Sequence, residues 1–209
     1  MISFFQFEPC EKAIIVGSSR NSLTTINYWK KKDGHAWIMI NNAWRIRKRN
    51  NDFDRICAHY NYFEIPENAD AKEVITNMPM RFGDYQFLDL YTTFKKMYGD
   101  KHERGDISIF HACYYTLEIY NPKKIGFIGC DMDYDLYTED EDDSIYGKSD
   151  VTTRHPHGLW NTGDYDKELI LEKIKKFENI FSKYGGKCYN LSTADWTLLP
   201  FEKINYEDF

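Results

Sequence analysis

The chain has 209 residues, 42% apolar and 29% charged, with a formal net charge of −6. That length suits one domain with a real hydrophobic core, and the acidic balance argues against an extended nucleic-acid surface, which needs a basic footprint. No apolar run approaches the roughly 18 residues of a membrane span, and the start, MISFFQFEPCEKAIIVG, lacks the basic n-region and full h-region of a signal peptide. Five cysteines, odd in number and without a CxxC, read as thiols of a reduced, cytoplasmic protein rather than a disulfide framework.

In chain order, Lys12 to Val16 (KAIIV) reads as a buried strand, and Ser22 to Lys31 as a short helix capped by Asn21 or Ser22. His35 to Ile40, Asp54 to Ala58 and the weaker Lys72 to Thr76 are the next strands. Gln86 to Tyr98 has helical spacing, and Ile107 to Tyr120 is apolar nearly all round, the pattern of a buried helix stopped by Asn121-Pro122. Lys124 to Gly129 is the clearest strand. Lys167 to Tyr184 is the clearest amphipathic helix, ended by Gly185-Gly186, and Lys187 to Leu191 is the last strand. Strands alternating with helices predict a mainly parallel sheet with helices on both faces. Roughly 35 residues from Cys130 to Asp166 carry no element; a loop of that length inside a compact domain is usually a lid or a binding loop.

In such sheets ligands bind outside the carboxyl ends of the strands. Polar residues stand at four of these ends: Gly17-Ser18-Ser19, Asn41-Asn42, His59-Tyr60-Asn61 and Asp131. Gly17 to Ser22 (GSSRNS) joins a strand to a helix start, where unpaired N–H groups can cradle a phosphate, although it is neither a P-loop nor a GxGxxG turn. A tight turn is the plainer alternative. If the stretch is a cradle, Gly17→Val abolishes nucleotide binding in a protein that still folds. Asp131-Met132-Asp133 has the spacing of a metal-binding DxD, but acidic runs are more often solvated. His155 and His157 precede the long helix, in the segment expected to close over a ligand, and imidazole titrates in the range of a general base.

AIIVGSSRNSL resembles the opening strand and loop of the bacterial lipooligosaccharide sialyltransferases and of their 6-hydroxymethylpterin diphosphokinase-like (MptE-like) Rossmann relatives. The similarity continues through WIMINNAW and RICAHYNYFE, is strongest in YNPKKIGFIGCDMDYD, and resumes in HGLWNTGDYDKELILEKIKKF and KCYNLSTADWTLLPF. The pieces cover most of the chain in the right order. Two departures stand out: the first loop is one residue longer and lacks G-x-G, and the family's Thr-Ser-Gly before the buried helix is represented by Ser108-Ile109-Phe110.

The resemblance implies a single Rossmann-like domain over 1–209 with a lid at about 130–166, acting as a glycosyltransferase on a nucleotide-activated sugar and an unknown acceptor. Carried over by position, it makes Gly17, Ser18, Ser19 and Asn21 the phosphate loop, and Asn41, Asn61 (or His59) and Asp131 further nucleotide contacts. Tyr134 and Tyr146 (or Tyr137) assist the departing phosphate, and His157 is the general base; no metal is required. The rivals are pyrophosphoryl transfer from ATP, with Mg²⁺ on Asp131 and Asp133, and a nucleotide- or partner-binding domain without catalysis. Homo-oligomerisation is left open.

Overall fold

In the computed structural model of the chain, the described residues are 8–17, 29–40, 43, 54–58, 73–76, 108–130, 167–194 and 197–209. They form strands β1 (Lys12–Val16), β2 (His35–Ile40), β3 (Arg55–Ala58) and β4 (Glu73–Thr76), then helix α1 (Ser108–Tyr120) and β5 (Lys124–Ile128). Helix α2 (Lys167–Lys183), β6 (Lys187–Asn190) and the short β7 (Glu202–Lys203) follow. The strands make one seven-stranded sheet in the order β4-β3-β2-β1-β5-β6-β7. All six pairings are parallel. Successive strands step outward from β1 in one direction up to β4, then return to its other side at β5. This is a doubly wound α/β sheet with its reversal between β1 and β5.

The register explains why the central strands read as unbroken apolar runs. Ala13 and Ile15 pair with Ala36 and Ile38 on one side, and with Ile125 and Phe127 on the other. Together with Cys188 these residues face α1 and α2 in one core. The alternate residues Ile14, Val16, Trp37, Met39 and Ile128 are just as fully buried on the second face. A strand covered on both sides has no polar face to show, so period-2 alternation disappears.

Both helices pack on the first face. On α2, Ile170, Ile174, Phe177 and Phe181 are buried at helical spacing. The Phe177 ring meets Tyr114 of α1 edge-on at 5.3 Å and stacks on Phe181 at 6.1 Å. Among the described residues the second face is covered by Leu191, Tyr206 and Phe209. A Cβ added to Gly126 would meet Leu191 and Phe209 there, 2.4 and 3.1 Å away.

Helix termination follows the sequence signals. Asn121 takes φ 40° and donates its N–H to Leu117 O at 3.0 Å, and the following Pro122 cannot extend the helix. Gly185, at φ 76°, donates to Ser182 O while Gly186 donates to Phe181 O, a complete Schellman motif closing α2. Gly185→Ala has open space for its methyl group but keeps the left-handed backbone. It is expected to cost about 1 kcal/mol and to lower the melting temperature by about 2–4 °C in a calorimetric scan; an unchanged melting temperature contradicts the motif.

One expectation needs adjusting, and one strand was not foreseen. Residues 29–31 are not helical but run irregularly into the turn at Asp33-Gly34. Tyr206 stacks on Trp29 at 4.2 Å and its hydroxyl donates to Lys30 O at 2.6 Å, so a partner far along the chain sets their conformation. β7 escaped notice because two charged residues carry no pattern. Its pairing with Tyr189 and Asn190 and a 2.6 Å Lys187–Glu202 ion pair define it. The predicted helix at Gln86 to Tyr98, the rest of the Ser22 to Lys31 helix and the loop after Cys130 lie outside the described residues.

Candidate functional site at the strand reversal

The reversal brings the carboxyl ends of β1, β2 and β5 together. Val16 pairs with both Met39 and Ile128, so the three strands stop at one level. Short connections join α1 to β5 and α2 to β6, so the helix C-termini lie at the amino edge of the sheet. Both helix N-termini therefore point toward the carboxyl edge, bringing their positive dipole ends to the side where an anionic ligand would lie. The first turn of α1 contains no acidic residue, whereas that of α2 carries Glu168.

Gly17 sits at the centre of this edge. Its N–H donates to Ile128 O at 2.8 Å, extending the β1–β5 ladder one residue past the strand. A Cβ at Gly17 would stand 2.1 Å from Gly129 O and 2.9 Å from Cys130 Sγ. Two backbones thus meet with no room for a side chain, and Gly129, at φ 66°, bends the chain away directly beyond β5. The N–H of Gly17 is engaged with the sheet, so the residue's contribution here is to let the two strand ends approach closely. The expectation that Gly17→Val leaves folding intact is thereby corrected, because the side chain has no space.

Cys130 lies buried beneath this junction, with Sγ 3.6 Å from Ile128 O and 4.0 Å from Ile15 O. None of Cys10, Cys113, Cys130 and Cys188 is in a disulfide, and burial holds the Cys188 thiol well above its ordinary pKa. The sequence did not show that Cys130 lies against the Gly17–Gly129 junction. The signal was its position directly after the glycine that ends an apolar strand.

On the far side of β5, Asn190 pairs with Phe127. Asn190 Oδ1 accepts from Ser192 N at 2.8 Å, and Ser192 Oγ accepts from Ala194 N at 3.1 Å. Both side chains are buried and hold the chain in a fixed turn as it leaves β6. This turn lies one strand beyond β5, and the sequence indicated it only as a serine after the last strand. Of the family-like Ser108-Ile109-Phe110, Ile109 and Phe110 are core residues, 4% and 1% exposed, which gives this stretch a packing role.

Of the sequence-derived site residues, Gly17 is described, at the carboxyl end of β1 and against Gly129. Ser18, Ser19, Asn21, Asn41, His59, Asn61, Asp131, Asp133, Tyr134, Tyr137, Tyr146, His155 and His157 lie outside the described residues. Ser18 is adjacent in sequence to Gly17, Asn41 to Ile40 and Asp131 to Cys130, so three of them continue directly from the clustered strand ends. Among the described residues no group of three His, Cys, Asp or Glu side chains could hold a metal ion, and no helix is long and apolar enough to cross a membrane.

This geometry defines the class of doubly wound, Rossmann-like α/β proteins, whose ligands lie in the crevice at the strand reversal. Within it, the fold is similar to the crystal structure of the monofunctional alpha-2,3-sialyltransferase Cst-I from Campylobacter jejuni. The two share a TM-score of 0.52 and 16% identity, over 97% of this chain and 84% of the other. No protein-family model matches the chain, and no curated protein matches it in sequence.

Proposed function

We propose that the chain is a single-domain glycosyltransferase that binds a nucleotide-activated sugar in the crevice between the carboxyl ends of β1 and β5. The observation that carries this reading is the junction of Gly17 and Gly129. It is a close backbone approach at the place where strand order reverses, with the polar Ser18, Asn41 and Asp131 following nearby in the sequence. The fold likeness to a sialyltransferase supports the same reading.

In the proposed site Ser18, Ser19 and Asn21 receive the phosphate at the end of β1, and Asn41, Asn61 and Asp131 contact the nucleotide from the neighbouring strand ends. His157 takes the proton of the acceptor hydroxyl as the anomeric carbon leaves the phosphate. Tyr134 and Tyr146 donate hydrogen bonds to the leaving group, stabilising the charge that develops in the transition state. With tyrosine hydroxyls in that role, the mechanism invokes no metal.

The test is a thermal-shift screen against CMP, UDP, GDP and ADP, their sugars, and ATP, each with EDTA and with Mg²⁺. A nucleotide at about 100-fold excess over its Kd is expected to stabilise the fold by about 3 kcal/mol, a rise of several degrees for a chain of this size. Stabilisation by a nucleotide sugar in EDTA supports the proposal. A response only to ATP with Mg²⁺ replaces it with pyrophosphoryl transfer, and no response to any of them removes it.

A further inference from the structure

We propose that residues 204–209 form an acid-releasable strap over the second face of the sheet, with His35 as its trigger. Besides the Ile204 N–H to Asn190 O bond and the Lys32 donation to Tyr206 O, the strap is held by two aromatic anchors. Tyr206 is buried between Trp29, stacked at 4.2 Å, and Trp37, met edge-on at 6.3 Å, and its hydroxyl donates to Lys30 O. Phe209 is 1% exposed and packs edge-on against His35 at 5.9 Å and against Tyr189 at 5.9 Å. Trp29 and Lys30 belong to the connection that begins at Gly17, so the strap grips the far end of the segment that carries the proposed phosphate loop.

Among the described residues, His35 is the group under this strap whose side-chain type changes charge near neutral pH. It is 8% exposed, and its Nδ1 has no hydrogen-bond partner among the described residues. The groups around it are mostly cationic. On β1, paired with His35, Lys12 donates to Phe209 O and lies 5.7 Å from the centre of the Phe209 ring. From the preceding turn, Lys32 lies 4.5 Å from the centre of the Tyr206 ring, and Lys31 is paired with Asp54 at 2.5 Å. Lys124 of β5 lies beyond Lys12 in the same row. The exposed carboxylates are Glu11, Asp33, Glu207 and Asp208, with Glu207 3.6 Å from Lys32, whereas the buried Asp54 is engaged by Lys31 and by the Trp37 N–H. Cys10, in the segment before β1, stays a neutral thiol because burial raises its pKa to about 11.

A proton on His35 would therefore be a buried charge facing Lys12 and Lys32, with the attraction of Glu11 too weak to compensate. Burial first, then Lys12 and Lys32, holds the imidazole below its ordinary 6.5 while the strap is closed. The sign follows from linkage. Closure is at full strength above about pH 6.5, where His35 is neutral in both states. It weakens as pH falls, because the open form takes up a proton that the closed form refuses. One proton corresponds to at most about a tenfold change in the open population per pH unit across that window.

The experiment is amide hydrogen exchange on the whole protein at pH 7.5, 6.5 and 5.5, corrected for intrinsic exchange rates, for the wild type and for His35→Gln. In the wild type, protection at residues 204–209 is expected to fall as pH drops below about 6.5, by at most about tenfold per pH unit, while β1 and β5 stay protected. In His35→Gln the strap should remain protected throughout. Retained protection in the wild type at pH 5.5 overturns the proposal, as does a parallel loss in His35→Gln. Should that variant not fold, the His35 imidazole is titrated by NMR in the wild type. Its change must then coincide with the loss of protection, and separate midpoints refute the trigger.

Discussion

His157→Ala should lower kcat by about 10²- to 10⁴-fold, the usual contribution of a general base, once a donor and an acceptor have been found. Nucleotide affinity should stay nearly constant, because the base acts on the acceptor rather than on the donor. His157 lies four residues before Asn161-Thr162, in the stretch that resembles the family's His-x-x-Asn-Thr-x-Asp with one residue inserted. His155, separated from it by Pro156, is the internal control and should tolerate alanine. The rate should also fall as pH drops below about 6.5, the range in which an unperturbed imidazole gains a proton and ceases to be a base. Steady-state kinetics on both variants, with the nucleotide Kd measured separately, decides the matter. Damage from His155→Ala instead would mean that the correspondence with the family is shifted by two residues. A measurable transfer rate indifferent to both changes removes histidine from the mechanism.

Gly17→Val should prevent stable folding, and Gly17→Ala should cost at least the 1–3 kcal/mol typical of overpacking. A Cβ at this position meets the Gly129 carbonyl at 2.1 Å, and backbone cannot swing aside as a flexible side chain can. One strand end must shift, breaking the Gly17 N–H to Ile128 O bond at the sheet's central junction. Gly34→Ala is the comparison: nothing lies within 4 Å of its new methyl group, so only the positive φ of 74° opposes it, at about 1 kcal/mol. Urea unfolding of the three variants orders the costs. If Gly17→Val melts within about 2 °C of the wild type, less than 1 kcal/mol is involved at this size, and the close approach is disproved. Calorimetry on Gly17→Ala then adds a functional readout, since unchanged nucleotide affinity would make this junction a feature of folding alone.

The local code was largely legible because it rests on short-range physics. The strands at Lys12–Val16 and His35–Ile40 fall where the apolar runs placed them. The ends of the helices were readable from Asn121-Pro122 and Gly185-Gly186, since left-handed backbone and a missing N–H act at the residue itself. Cys113 and Cys130, which stand in apolar runs, are 3% and 6% exposed, as small buried hydrophobes are. At the site, the sequence pointed to the residues after each strand. It could not tell which strands are neighbours.

That neighbour relation separates what each level decides. Periodicity and capping fixed which segments become strands and helices, because those preferences depend on residues a few positions apart. Only the tertiary structure placed β5 beside β1, and so set Gly17 against Gly129, residues more than a hundred positions apart in the chain. The same holds for residues 29–31. Their local pattern suggested a helix, but stacking of Trp29 on Tyr206 and the bond to Lys30 O accompany an irregular path. A contact between distant segments leaves no period in the sequence and outweighs a helix propensity of a few tenths of a kcal/mol per residue. The sequence by itself determined the elements and the polar residues at their ends; the order of the sheet decided which of those ends meet.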